Sequence, residues 1–304
     1  AGFWWNSTVP EPRSGIVHAD AQPAPAMTLA DIDLAATAAA LYLYPVKACA
    51  ALWVPEIVLD AGGRAGGDRG WAIVDAEGAV TWQGAHPRLA LVQPSFAGAR
   101  LLLGATGAES IPTPDALAPC RLKIWNDLDA RHDEFDAADA GDAVAGWLER
   151  LVGAPLRLVR LGEAARTREG LNALHLVFAP SIAAVDAQLA AAGLPAADPR
   201  RFRPNIVLSA PAGDGVEFIE ESLAALQWQG QDAASRLEIT APCVRCPVPD
   251  VDPESGLVEP ALGDALARLS QGRRPGATVF GVYARGPAGT RLRVGDTARM
   301  DLAF

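Results

Sequence analysis

Short apolar runs, punctuated by glycine, proline and acidic residues, recur along most of the chain, the pattern of strands joined by turns. Leu41-Tyr-Leu-Tyr-Pro-Val-Lys47 reads as a strand that proline ends, delivering Lys47 into a loop. Val54 to Leu59 follows as a short strand, then a glycine-rich turn from Gly62 to Gly70. Trp71 to Val74 and Val80 to Trp82, around a turn at Glu77-Gly78, predict a β-hairpin. Leu89 to Val92, Ala99 to Leu103 and Cys120 to Trp125 read as further strands, a series that suits a small barrel or curled sheet.

The period changes at Asp139 to Leu151, where Val144, Trp147, Leu148 and Leu151 share one helical face. Pro155 to Leu161 and Leu174 to Phe178 return as strands. Ser181 then has the side chain of an N-cap for a helix over Ile182 to Ala192. Strands at Ile206 to Ser209, Leu237 to Thr240, Val279 to Arg285 and Leu292 to Val294, with a helix around Pro260 to Leu269, make the second half a strand-rich α+β unit. Residues 1–26 show no sustained period, and the stretch up to residue 35 is expected to be a flexible leader.

A length of 304 residues is enough for two domains with a substantial core. The net charge of −10 argues against nucleic acid as a partner, because a phosphate backbone needs a basic face. No run approaches the roughly 18 apolar residues of a membrane span. Nor does a basic segment precede an apolar one at the start, so a cytoplasmic protein is expected. Only Lys47 and Lys123 are lysines among 26 basic residues, which marks both as places where a compact ammonium is retained.

The chemistry concentrates in Ala241-Pro-Cys-Val-Arg-Cys-Pro-Val-Pro-Asp250, a Pro-rich loop with two of the four cysteines. A Cys-x-x-Cys supplies two zinc ligands, but His18, His86, His132 and His175 lie far apart and form no partner pair. A dithiol redox site normally opens a helix, which Pro247 and Pro249 discourage. No G-x-S-x-G elbow points to a serine hydrolase. What remains is one cysteine thiolate on a soft metal centre, with Lys47, Arg69, Arg203 and Arg245 at strand ends or in loops, free to converge on an anionic cofactor.

Read in order, Tyr44-Pro-Val-Lys47, Asp68-Arg69-x-Trp71, Pro87-Arg88-Leu89, Phe202-Arg-Pro-Asn205, Pro242-Cys-x-Arg-Cys246 with Val251-Asp252-Pro253, and Phe280-Gly-x-Tyr283 closing on Val294-Gly-Asp296 form one pattern. Over about Leu41 to Asp296 the chain resembles the MOSC family in its two-domain form, the amidoxime-reducing members above all. The resemblance implies an α+β fold: an N-terminal small β-barrel-like domain over residues 36–160, packed on a MOSC β-barrel domain with flanking helices over residues 161–304. It implies a molybdenum cofactor (Mo-molybdopterin), with Cys246 as metal ligand and catalytic centre, and Cys243 outside the ligand set. Lys47, Arg69, Ser181, Arg203, Asn205 and Arg245 would bind the cofactor, and Asp250 would relay protons. Pyridoxal phosphate binding comes with the family only as a broad label.

The implied reaction is two-electron reduction of N-hydroxylated compounds such as hydroxylamines, amidoximes and N-hydroxylated bases. No cysteine follows Cys246, so a separate electron donor, a reductase or small carrier, is expected. The alternatives are a non-catalytic carrier of the cofactor and a sulfur carrier with a persulfide on Cys246 or Cys243. Three departures stand out: Ala48 where relatives have serine, Thr81-Trp-Gln-Gly84 where an arginine is expected, and Pro249-Asp250 where they have threonines.

Overall fold

The computed structural model describes residues 35–126, 129–168, 174–209, 216–229 and 234–303. The expected leader lies outside them, apart from residue 35, which already opens a strand. The described residues belong to one compact unit, Leu34–Phe304.

The first half contributes β1 (Ala35–Leu43), β2 (Leu52–Trp53), β3 (Glu56–Val58), β4 (Trp71–Val74), β5 (Gln93–Ala97), β6 (Arg100–Ala105), β7 (Ala108–Pro112), β8 (Ala118–Asn126) and β9 (Arg131–Asp139). The helix α1 (Asp142–Val152), the strand β10 (Arg157–Leu161) and the one-turn α2 (Glu163–Thr167) complete it. Strands β4, β10, β9 and β8 form a four-stranded sheet, and β5, β6 and β7 a three-stranded meander. The apolar face of α1 packs with Leu101, Leu103 and Ile73 in a shared core, as its period predicts. Its Trp147 Nε1 donates to the Glu109 carbonyl at 2.7 Å, so the indole is buried with its one polar atom satisfied. Leu89 to Val92, expected as a strand, falls mostly within a 3-10 helix over Pro87–Leu91 instead, because Pro87 at its start has the right φ and no N–H to lose.

The second half adds β11 (Leu174–Phe178), α3 (Ala179–Ala191), β12 (Ile206–Ser209), β13 (Leu223–Gln229), β14 (Ala234–Val244), α4 (Ala261–Gln271), β15 (Val279–Arg285), β16 (Arg291–Arg293) and β17 (Thr297–Leu302). Neighbouring strands run β12-β11-β15-β14-β13-β17-β1, and β1 pairs again with β12, which closes a seven-stranded barrel. Only β11 and β12 run parallel, with α3 as the crossover between them. Leu41, Phe178, Ile206, Leu226, Trp228 and Leu237 fill the barrel. Trp228 is fully buried and donates from Nε1 to Asp296 at 3.1 Å.

Ser181 does not cap α3. Phe178 stands at that position, and Ser181 lies inside the first turn, fully buried. Its hydroxyl donates to Glu220 Oε2 at 2.8 Å and accepts the Phe218 N–H at 2.8 Å. Glu220 is itself fully buried, with its second oxygen unpartnered. Burial pushes its carboxyl from 4.5 up to about 7. The folded protein therefore keeps a proton that the unfolded chain has already released between those values. This stability is fully present below pH 4.5 and is lost as pH rises through about 7. Glu220→Gln should flatten that loss, with a gain at pH 8 of up to about 3 kcal/mol relative to pH 5. Urea unfolding of both proteins at the two pH values measures it.

Candidate functional site

Where β1 ends, Tyr44-Pro-Val-Lys47 folds against the segment before β4. The Arg69 N–H donates to the Tyr44 carbonyl at 2.8 Å, the Lys47 N–H to the Trp71 carbonyl at 2.9 Å, and the Trp71 N–H to the Pro45 carbonyl at 3.0 Å. These bonds bring Lys47 and Arg69 to one edge although 22 positions separate them in the numbering (69 − 47). Asp68 holds the junction from behind, accepting the Tyr44 N–H at 2.6 Å and pairing with Arg69. The short helix Pro199–Phe202, capped by Asp198, sets Arg203 opposite.

Both guanidinium groups lie over the Tyr44 ring. Arg203 Cζ stands 4.2 Å and Arg69 Cζ 5.3 Å from its centroid. Such contacts are worth about 0.5–2 kcal/mol each when desolvated. Arg203 Nη1 donates to the Cys49 carbonyl at 2.7 Å, while its buried Nη2 has no partner. Burial works against the Arg69 charge, but Asp68 together with Tyr44 and Tyr283 outweighs it and holds the group above its ordinary value. For Arg203 burial prevails over Tyr44 and the more weakly acting Asp68 and brings it down to about 10. Ala48, Arg69 and Arg203 all have left-handed backbones, three of the five non-glycine residues that do so among those described. Strain of this kind gathers where side-chain placement matters more than backbone comfort.

These residues line a cavity of about 320 Å³ together with Arg168, Arg245, Cys243, Cys246, Tyr283, Trp82 and Gln83. Lys47 lines the cavity with its side chain open to solvent at the mouth, while protein packs around it. Burial, then the charges of Arg168 and Arg69, lower its ammonium to about 8. The strand β14 runs further than its apolar period suggests and carries Cys243 as a buried residue, leaving Cys246 exposed beyond its end. Arg245 Nη1 donates to Cys243 Sγ at 3.0 Å and Nη2 to the Phe202 carbonyl at 3.0 Å, while its buried Nε has no partner. Cys243 Sγ and Tyr283 Oη are 3.0 Å apart. Burial pushes the Cys243 thiol up, but His175 and Arg245 beside it outweigh that and bring it down to about 5.

Of the residues expected from the sequence, Lys47, Arg69, Arg203, Arg245 and Cys246 come together on this cavity. Ser181, Asn205 and Asp250 are not among its lining residues. Asn205 is fully buried and works through the backbone: its Oδ1 accepts the His175 N–H at 3.1 Å and its Nδ2 donates to the Tyr42 carbonyl at 3.1 Å. It thereby ties β11 to β1 two residues after Arg203. Asp250 ties its loop to the first turn of α4, where Oδ1 accepts the Gly263 N–H at 2.7 Å; a carboxylate is favoured at that helix end. Ser181 is held by Glu220, as described above. Arg168 and His175 carry no signal of this site in the sequence, because nothing in their own segments distinguishes them from surface or core residues; Trp82 and Gln83 stand out there only as part of the departure at Thr81-Trp-Gln-Gly84.

The MOSC N-terminal beta barrel domain matches residues 35–155, and the MOSC domain matches residues 166–299. Mitochondrial amidoxime-reducing component 1 of Homo sapiens is 30% identical over 275 residues, covering 83% of this chain and 76% of that protein. The Xenopus laevis protein of the same name is 27% identical, covering 84% of this chain and 77% of its own. Molybdenum cofactor sulfurase of Bos taurus is 27% identical over 80% of this chain, which spans only 29% of that protein's length. The chain spans less than a third of the other sulfurases it matches in the same way, those of Drosophila grimshawi and Drosophila willistoni. The chain belongs to the MOSC family, with the MOSC N-terminal beta barrel domain ahead of the MOSC domain.

Proposed function

We propose that the protein is a molybdenum-cofactor-binding oxidoreductase that reduces N-hydroxylated compounds, with Cys246 as the protein's ligand to the metal. One observation carries this reading: an exposed cysteine shares a cavity with five cations, and among the described residues none that lines it is acidic. The donor set suits an anionic pterin phosphate. Arg203 Nη2 and Arg245 Nε are buried donors without partners, which an incoming acceptor would satisfy. A thiol at the edge suits a soft metal.

In this reading Lys47, Arg69, Arg168 and Arg203 hold the phosphate and pterin, and Arg245 holds the strand end from which Cys246 projects. When bound, the cofactor supplies a two-electron couple for cleaving an N–O bond. The overall change, R–NH–OH plus two electrons and two protons giving R–NH₂ and water, needs protons at the cavity. Lys47 Nζ, lowered to about 8, holds one there near neutral pH. The electrons come from a separate donor protein.

A sulfur-carrier role rests on a different residue. Cys243, with Arg245 donating to its sulfur and its thiol lowered to about 5, has the character of a persulfide-forming thiolate.

Because Lys47 binds an anion best as ammonium, cofactor affinity should fall as pH rises through about 8, and Lys47→Met should remove that dependence. Pterin retention after dialysis from pH 6.5 to 9.5 measures it. Cys246→Ser should lose molybdenum and N-reduction while keeping the thermal midpoint of the parent. Cys243→Ser should instead abolish persulfide labelling if the carrier role holds. Absence of both molybdenum and pterin from protein purified from a cofactor-competent host would sink the enzyme reading.

A further inference from the structure

The cavity is not cationic all round. Its lining also includes the apolar side chains of Trp82, Val80, Ile124, Val244 and Val248. Two of these stay open to solvent, Trp82 at 40% and Val244 at 65% exposure. A large aromatic ring left half-uncovered beside a polar cavity retains stabilisation that a ligand can still collect by covering it.

The indole is seated rather than loose. A Cβ placed on Gly84 would stand 2.2–2.5 Å from three atoms of the six-membered ring, so the ring rests on the bare glycine and no other residue admits it there. The backbone around it is fixed as well. The Ala85 and His86 N–H groups both donate to the Trp82 carbonyl, at 3.1 and 3.0 Å, and the Thr81 N–H donates to the Ile73 carbonyl at 2.9 Å. Trp82 therefore presents its ring in a held orientation, with little ordering left to do when a ligand arrives.

We propose that Trp82, seated on Gly84, is a specificity-determining residue that packs against the aromatic body of the substrate. The site then prefers aromatic N-hydroxylated compounds to aliphatic ones carrying the same head group. The N-hydroxyl head group in this statement rests on the function proposed above; the stacking surface rests on the geometry of Trp82, Gly84 and Val244 alone.

The test measures binding and turnover separately. The purified oxidised protein, without electron donor, is titrated calorimetrically with benzamidoxime and acetamidoxime, which share a head group and differ in the ring. The parent should bind benzamidoxime at least about tenfold more tightly. Trp82→Ala should bring the ratio to within about threefold, and Gly84→Ala, which dislodges the indole, should move it the same way. Trp125→Ala, which removes an exposed tryptophan packed on His132 outside the cavity, should leave the ratio at the parental value. An unchanged ratio in Trp82→Ala, or a parent that binds neither compound at millimolar concentration, overturns the proposal. With a chemical reductant added, a parent that shows the ratio yet reduces neither compound refutes the proposed function and leaves the stacking surface standing.

Discussion

Five cations brought to one cavity repel each other, and the surrounding protein works against the charge of Arg69, Arg168 and Arg203 in particular. The surrounding structure is organised to hold them there. The Tyr44 ring gives both Arg69 and Arg203 an aromatic surface to rest on. Asp68 neutralises Arg69 from behind, so the carboxylate does not occupy the cavity. Lys47 and Arg203 absorb what remains, one lowered to about 8 and the other to about 10. A site that strains its own cations in this way gains most from an anion that fills it.

The opposite edge works by a different principle. There β14 buries one cysteine among Arg245, Tyr283 and His175 and releases the other into the open. The two sulfurs of one short motif thus have unlike surroundings. Cys243 is fixed by three neighbours, while Cys246 keeps a free approach from the cavity. In the proposed function, that asymmetry leaves a single thiol to act as an external ligand.

The alternation of apolar residues was enough to place most strands, and β11, β12 and β15 fall where it predicts them. It could not reveal β9, whose Arg131-His-Asp-Glu-Phe-Asp136 is mostly charged. That strand is held by a nine-residue register with β8 and by ion pairs such as Arg121–Asp136, which no local period records. Ser181 was legible as a polar residue at a helix end and Asp250 as an aspartate in a Pro-rich loop, but their partners, Glu220 and the Gly263 N–H, come from 39 and 13 positions away. Lys47, Arg69 and Arg203 were legible as cations at strand ends. What the sequence leaves unstated is the Tyr44 ring that two of them share, since a tyrosine in a strand is ordinarily just core. Trp82 stood out only as a departure from the family pattern, because its orientation depends on the missing side chain of Gly84.

The closing strand of the barrel carries one further consequence. β1 pairs with β12 through Thr37↔Ser209 and with β17 through Ala35↔Arg299, so the first described strand is locked to residues from the far end of the chain. A fragment starting after residue 160 would contain six barrel strands and two bare edges, the kind that recruits a foreign strand. During synthesis the same gap stays open until the region around residue 299 has been made, and loop closure over such a span is slow. The two halves are separate in sequence but form a single cooperative object, in which the segment that seals the barrel is the one that runs on into Tyr44 and Lys47.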